Sequence, residues 1–510
     1  MNVVNGGPLC ASFQAQLRAR DFAIDMLRVA LLLVLLSATS ALLPPLGTRG
    51  TQDFRQISRP AKPRSSPTFI IAAAEDSTAG RASLSSSTIN LVKAIVGSGV
   101  LSLPVGIAAF SSSRSGVVPA IGITAIIAAI SAYCFSMVGY VCEATKSASW
   151  GEAWSKTVGA RSSWIPSSFV ALLCASQSLQ YTMVIGDSFS SIFSGAGFPL
   201  WLASRNGAIA SLTLFCTLPL CLLPSLDMLK YTSSLGIGGI VYTAVFMCLR
   251  AMHGYEPGSA LHAAVAPRLQ PSFGAVPTPV LASVLGVFRT TKVFVLMSIL
   301  ATAFCAHFIA PQFYNELAPD GGNGASQGSP QVSTGSKMRR FNALAAGGFG
   351  LSAVFTAVVM AAGYLTFGSA SDGYILNNYA QTDALAQAAR LGIGLAIVCT
   401  YPILHQGLRD TTMEAMRARG LRPSRVGTTL VAVGLITALG MALTNLGTVA
   451  AISGALVSTS LVYTLPSLML GQLLSAKATL TRREKVELVG ARLTTLLGII
   501  LAAIGIKAAL

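Results

Sequence analysis

Apolar runs of about 20 residues, separated by short polar stretches, recur from Thr88 to the end of the chain. At about 1.5 Å rise per residue, such a run crosses the hydrocarbon of a bilayer as a helix. The pattern predicts about eleven membrane-spanning helices, near residues 88–110, 117–142, 165–193, 207–224, 231–252, 290–314, 342–367, 384–408, 426–443, 446–473 and 488–508. The first run, TINLVKAIVGSGVLSLPVGIAAF, holds Gly97-Ser98-Gly99 at its middle and Pro104 close behind. Glycine is a poor helix former and proline removes a backbone donor. Unpaired N–H and C=O groups are tolerated in hydrocarbon only where a break lines a protein cavity. The run reads as two half-helices around a binding site, or as a continuous helix whose glycines allow close packing. The glycines alone fit either. In the sixth run, His307 and Pro311 interrupt an otherwise apolar helix. Interrupted first and sixth spans are the signature of two inverted five-helix repeats, spans 1–5 and 6–10, with substrate at the midplane. Helix N-termini there carry free N–H groups and about half a positive charge, suited to a carboxylate.

Composition agrees with this all-α polytopic membrane class. The 510 residues are 53% hydrophobic and 10% charged, against about 25% charged in soluble domains. The net charge of +17 invites a nucleic-acid reading. The basic residues sit mainly in short loops, however, which is a membrane-topology bias. With the start of the first span inside, inner loops carry Lys146, Lys156, Arg161, Lys230, Lys337, Arg339, Arg340 and Arg409 among others, while outer loops carry Arg114, Arg205 and Arg268. The expected surroundings are a lipid bilayer, with no nucleic-acid partner. The nine cysteines are scattered, with no CxxC and no metal-ligand spacing, so no disulfide framework, metal or cofactor is expected. Nothing sets the oligomeric state.

Residues 1–86 form a separate segment, ahead of a membrane domain over 87–510. Arg18, Arg20 and Arg28 precede a short apolar run, Val29 to Leu36, and then small residues, as in a signal peptide. A stretch rich in Ser, Pro and basic residues follows, with a transit-peptide bias. Together they resemble the bipartite presequence of algae with complex plastids. The alternative is a disordered tail behind a weak signal anchor. Parity favours processing: a retained anchor would bring the first span in from the wrong side. This tilts the location towards the plastid envelope of an alga, with the vacuole and plasma membrane as alternatives. Two loops stand out. Residues 318–338 form a Gly/Ser-rich inner linker, and 253–287 form the longest outer loop, whose glycines, prolines and histidines read as loop chemistry.

In order and spacing, NLVKAIVGSGVLSLP, YTMVIGDSF, LPSLDMLKYTSSLG, AHFIAPQFYNEL and GYLTFG…ILNNY…ARLGIGLAIVCTYP resemble the amino acid/auxin permease family. The likeness spans nearly all of 88–508 and is nearest to the branch of the sodium-coupled neutral amino acid transporters. The resemblance implies a leucine-transporter-like fold of eleven helices, with helices 1 and 6 discontinuous, moving amino acids by alternating access. By position, Gly97, Ser98 and Gly99 would offer backbone groups to the substrate, and Cys305 to Pro311 would form the opposite wall. Sodium-coupled members use an asparagine in span one and a threonine in span eight. Thr400 matches the threonine. The asparagine position is Lys93, and Asn90 lies one turn earlier.

An ammonium about 6 Å from the glycine break by helical rise would repel sodium and could stand in its place. Proton coupling or exchange is therefore expected in preference to sodium. The alternative is that Lys93 snorkels to the inner surface. His307 is the leading proton carrier, because histidine titrates near neutral pH; it could instead brace the unwound backbone. Asp187 could carry a proton or cap a kink. Gln177, Gln180 and Tyr181 could line the pathway or bond neighbouring helices. His405 reads as packing, and Glu316 as a gate or salt-bridge residue. The leading expectation is a secondary transporter of small neutral amino acids, with a non-transporting amino acid sensor as the alternative. A membrane enzyme would need clustered catalytic groups, and the four histidines are dispersed.

Overall fold

A computed structural model of the chain describes residues 83–223, 232–274, 279–287, 289–318, 334–418 and 420–509. The expected targeting segment up to residue 82, most of the 318–338 linker and the middle of LPSLDMLKYTSSLG lie outside the described residues.

The first apolar run is broken. It forms α1 (Leu84–Ile95), a 3-10 turn (Ser98–Ser102) and α2 (Leu103–Ala108). The Ser83 hydroxyl caps α1 by accepting from the Ser86 N–H at 3.2 Å. Val96 then leaves the helical region, Gly97 is extended with φ −123° and ψ −170°, and the chain turns by 46° between the halves. The sixth run also divides, into α9 (Val293–Ala303) and α10 (Ala310–Glu316), in the chain-order numbering used below.

The other crossings are α3 (Val117–Thr145), α5 (Trp164–Gly195), α6 (Arg205–Leu212) running through a π turn into α7 (Leu218–Leu222), and α8 (Thr232–Met252). After the sixth come α11 (Thr334–Phe367), α12 (Ala384–Ala418) and α13 (Arg425–Ala442). Then α14 (Leu446–Ser453) passes through two π turns into α15 (Leu465–Ser475), and α16 (Arg482–Ala509) ends the described chain. A short inner-loop helix, α4 (Trp150–Trp154), lies between α3 and α5. Among the described residues nine helices are long and apolar enough to cross a membrane. Counting the bent pair α1/α2 as one span gives ten, against the eleven expected; Gly236–Met252, where the fifth span was expected, is a shorter apolar helix.

One expectation needs a different physical account. The prolines do not break their helices. Pro104 and Pro311 sit in the first turn of α2 and α10, where the missing N–H has no intrahelical partner to lose. Glycine and the 304–306 loop end the first halves; proline starts the second.

The helices group into two layers. In one, α11 packs on α1, α2 and α3, and α2 lies against α9. A Cβ on Gly106 would meet Leu296 Cδ1 at 2.8 Å, so these two half-helices touch through a glycine. In the other layer α5 packs on α6, α12 and α13. The α8 crossing bridges α11 and α12. The α14–α15 crossing lies against α9 and α5 and is the most enclosed, 83% buried over its apolar window, against 22% for the peripheral 205–222 and 425–442 crossings. At its first π turn, a Cβ on Gly454 would fall 1.8 Å from the Ser298 carbonyl oxygen.

Candidate functional site

The glycine break leaves main-chain groups unused. Among the described residues the N–H groups of Gly97 and Gly99 have no backbone acceptor. The α1 carbonyls beyond Val92, which takes the Val96 N–H at 2.8 Å, point past the end of the helix. A Cβ built on Gly97 or Gly99 meets nothing within 4 Å. A small cavity of about 10 Å³, room for about one water, opens beside the break. It is lined by Gly97, Val100 and Leu101 with Thr243 of α8, Phe355 of α11 and Ile393 of α12. Ser98 closes the break's sequence as the first residue of the 3-10 turn.

The second break is held differently. Its 3-10 turn, His307–Ile309, follows a reversal in which the Ala306 N–H reaches the Phe304 carbonyl at 3.0 Å. His307 is fully buried, its Nε2 2.9 Å from the Ser131 carbonyl oxygen of α3. Its ring lies 5.7 Å from Phe135 and 5.6 Å from Phe349. The side chain thus faces α3 and α11, within its own layer. The Trp150 indole N–H of α4 donates to the His307 carbonyl at 2.8 Å, pinning the unwound backbone to the inner loop. Cys305 is buried beside the α14–α15 crossing, where Thr302 donates to the Ala450 carbonyl at 3.2 Å. Pro311 is buried in the first turn of α10.

The remaining predicted residues are spread over α1, α5, α10 and α12. Lys93 and Asn90 lie on α1, Lys93 in its last turn, where a cation suits the negative end of the helix dipole. Gln180 is buried on α5 and its Nε2 has no hydrogen-bond partner among the described residues; Ser178 Oγ, two residues earlier, is in the same state. Tyr181 packs on the Cys221–Tyr401–Val433 cluster. Thr400 is exposed on α12 and its hydroxyl donates to the Ala396 carbonyl. Asp187 is at the outer end of α5. Its Oδ1 accepts from Arg205 Nε at 2.6 Å, and its Oδ2 lies 3.4 Å from Asn377 Nδ2. Arg205 also donates to the Gly440 and Leu443 carbonyls at 2.9 and 3.1 Å. Glu316 accepts from Gln312 Nε2 at 2.8 Å, and His405 stacks on Tyr401.

Sequence reasoning missed the outer closure. Arg250 of α8 makes a two-point contact with Asp383, 2.8 Å for each bond, and the Tyr255 hydroxyl donates to the same carboxylate at 3.1 Å. Asn378 donates to the Leu269 and Ala370 carbonyls, and Ser272 pairs with Gly368. The 253–287 loop is therefore tied to the segment between α11 and α12. An arginine at a span edge and an acid just before the next span were the available signal. Trp150 gave none, because a loop tryptophan does not announce its partner.

A family described as transmembrane amino acid transporter protein matches residues 80–321 and 329–510. The "Putative sodium-coupled neutral amino acid transporter 11" of Danio rerio is 26% identical, over 76% of this chain and 78% of its own length. The amino acid transporter AVT6E of Arabidopsis thaliana is 24% identical over 74% of each chain. Among solved structures, MhsT in complex with L-phenylalanine is 12% identical, covers 82% of this chain and 98% of its own, and superposes with a TM-score of 0.50, which shows the shared fold. The architecture expected from the two broken spans is the one observed. This multi-pass membrane chain belongs to the transmembrane amino acid transporter family.

Proposed function

We propose that the chain carries small neutral amino acids by alternating access, coupled to protons or by exchange rather than to sodium. The observation that carries this reading is the open glycine break. Gly97 and Gly99 present free N–H groups beside empty space. A zwitterion's carboxylate suits those donors, and its ammonium suits the carbonyls at the C-terminal end of α1. Lys93 supports the absence of sodium, since it stands in the last turn of α1 at the position where sodium-coupled members carry an asparagine. The bracing of His307 by Ser131 and by rings of its own layer favours a structural part for it over direct substrate contact. The Asp187–Arg205 pair likewise favours an outer clamp.

Uptake of labelled L-alanine into proteoliposomes tests the proposal. Uptake should follow an imposed pH gradient or an internal amino acid load and be indifferent to sodium. Saturable binding without uptake under any gradient would instead indicate a sensor. For residues 1–86 the bipartite presequence reading stands as a proposal: fused to a fluorescent protein, the segment should direct it to a plastid. Label at the plasma membrane or vacuole would discard that reading.

A further inference from the structure

A second hollow lies away from the glycine break, at the inner ends of α3, α10 and α11. It has a volume of about 350 Å³, within the range of small-molecule sites. Glu143 and Lys146 of the α3 terminus, Ser147 behind them, Tyr314 and Asn315 of α10, and Lys337 of α11 line it. The charges in it are only partly balanced: Lys146 and Lys337 attract the Glu143 carboxylate, and the Tyr314 hydroxyl hydrogen-bonds it. Glu143 Oε1 is buried and has no hydrogen-bond partner among the described residues. Among those residues, too, neither Lys146 nor Lys337 forms an ion pair. Lys337 Nζ stands 4.8 Å over the Tyr314 ring and 3.4 Å from the Asn315 carbonyl oxygen, contacts too weak to satisfy an ammonium. Lys146 itself takes the left-handed conformation, φ 52°, that ends α3.

One carboxylate and two ammoniums without an ion pair among the described residues, gathered around one hollow, select a ligand by charge. A simple anion is opposed by Glu143, and a simple cation by the two lysines. A small molecule with an ammonium beside an acid group satisfies both ends. We infer that this hollow is a second, inner-side site for a small zwitterion, its ammonium on Glu143 and its acid group on Lys146 and Lys337. The same chemistry is offered by a free amino acid and by an aminophospholipid headgroup. The hollow opens on the side where cargo would be released, and the free amino acid is the source assigned here; that choice rests on the transport reading. Because α10 is the second half of a broken span, a ligand held against Tyr314 and Asn315 fixes that half-helix to α3 and α11. Occupancy would slow turnover from the inner side.

The test uses the full chain in phosphatidylcholine nanodiscs and proteoliposomes, with labelled L-alanine as probe. The wild type should bind a second equivalent that Glu143→Gln and Lys337→Gln both lose, while Lys337→Arg keeps it. In both Gln variants internal alanine should no longer slow uptake from outside, and initial uptake at zero internal alanine should stay within about twofold of wild type. Matching melting temperatures exclude misfolding as the cause. One equivalent in the wild type, or two retained in both Gln variants, would overturn the inference. Slowing that requires added phosphatidylethanolamine and ignores internal alanine would overturn the free amino acid assignment. Failure of the transport reading looks different: uptake would be absent in every chain, with Glu143-dependent binding intact.

Discussion

Three residues show how local space separates function from packing. A side chain at Gly97 would enter open space, and its backbone angles suit any residue. A side chain at Gly454 would collide with the Ser298 carbonyl, so that glycine exists for close approach of two crossings. Gly454→Ala should therefore lower stability by about 1–3 kcal/mol, read as a reduced Tm in detergent; an unchanged Tm would remove this account of the α9–α14 contact. Lys93 is the third. Its cation complements the end of α1, where a sodium-coupled relative would need room for the ion. Lys93→Asn should make uptake respond to sodium. Uptake still blind to sodium in that variant would discard the role assigned to Lys93.

At the scale of elements, much was legible and some was not. Span positions follow from hydropathy because each crossing must satisfy its own backbone in lipid. Both breaks were also legible, since glycine and a polar residue in the middle of an apolar run have few other uses. What pattern alone could not assign was facing. His307 reads equally well as a pathway residue or a brace, and only tertiary packing sets its ring between Phe135 and Phe349. The prolines were misjudged for a similar reason: a proline near a break looks like its cause, yet Pro104 and Pro311 open the following half-helix. The outer clamp joins elements far apart in sequence, with Arg205 of α6 bound to Asp187 of α5 and to two carbonyls at the end of α13. Arg205→Ala would strand the Asp187 carboxylate, which is 9% exposed. It should cost about 3 kcal/mol, measurable as a lower Tm, with less loss in the double variant Arg205→Ala/Asp187→Asn. Equal stability of Arg205→Ala and wild type would show the clamp to be idle.

Over the whole molecule, two helix layers meet along the glycine break, with α8 bridging them and the α14–α15 crossing packed against both. The outer loops interlock through Asp383, Asn378 and Ser272. The inner ends of α3, α10 and α11 diverge around a hollow of about 350 Å³. Alternating access in such a body is a rocking of one layer on the other around a fixed midplane site. The proposed site at the glycine break is the part that the rest would serve, and the Gly97 and Gly99 N–H groups sit where no side chain intrudes. Initial uptake of labelled L-alanine by Gly97→Val, compared with wild type in the same proteoliposomes, tests this most directly. The account predicts a variant that folds with an unchanged Tm and neither binds at the break nor transports, because the added side chain occupies the substrate's place. A Gly97→Val chain that transports like the wild type would contradict it.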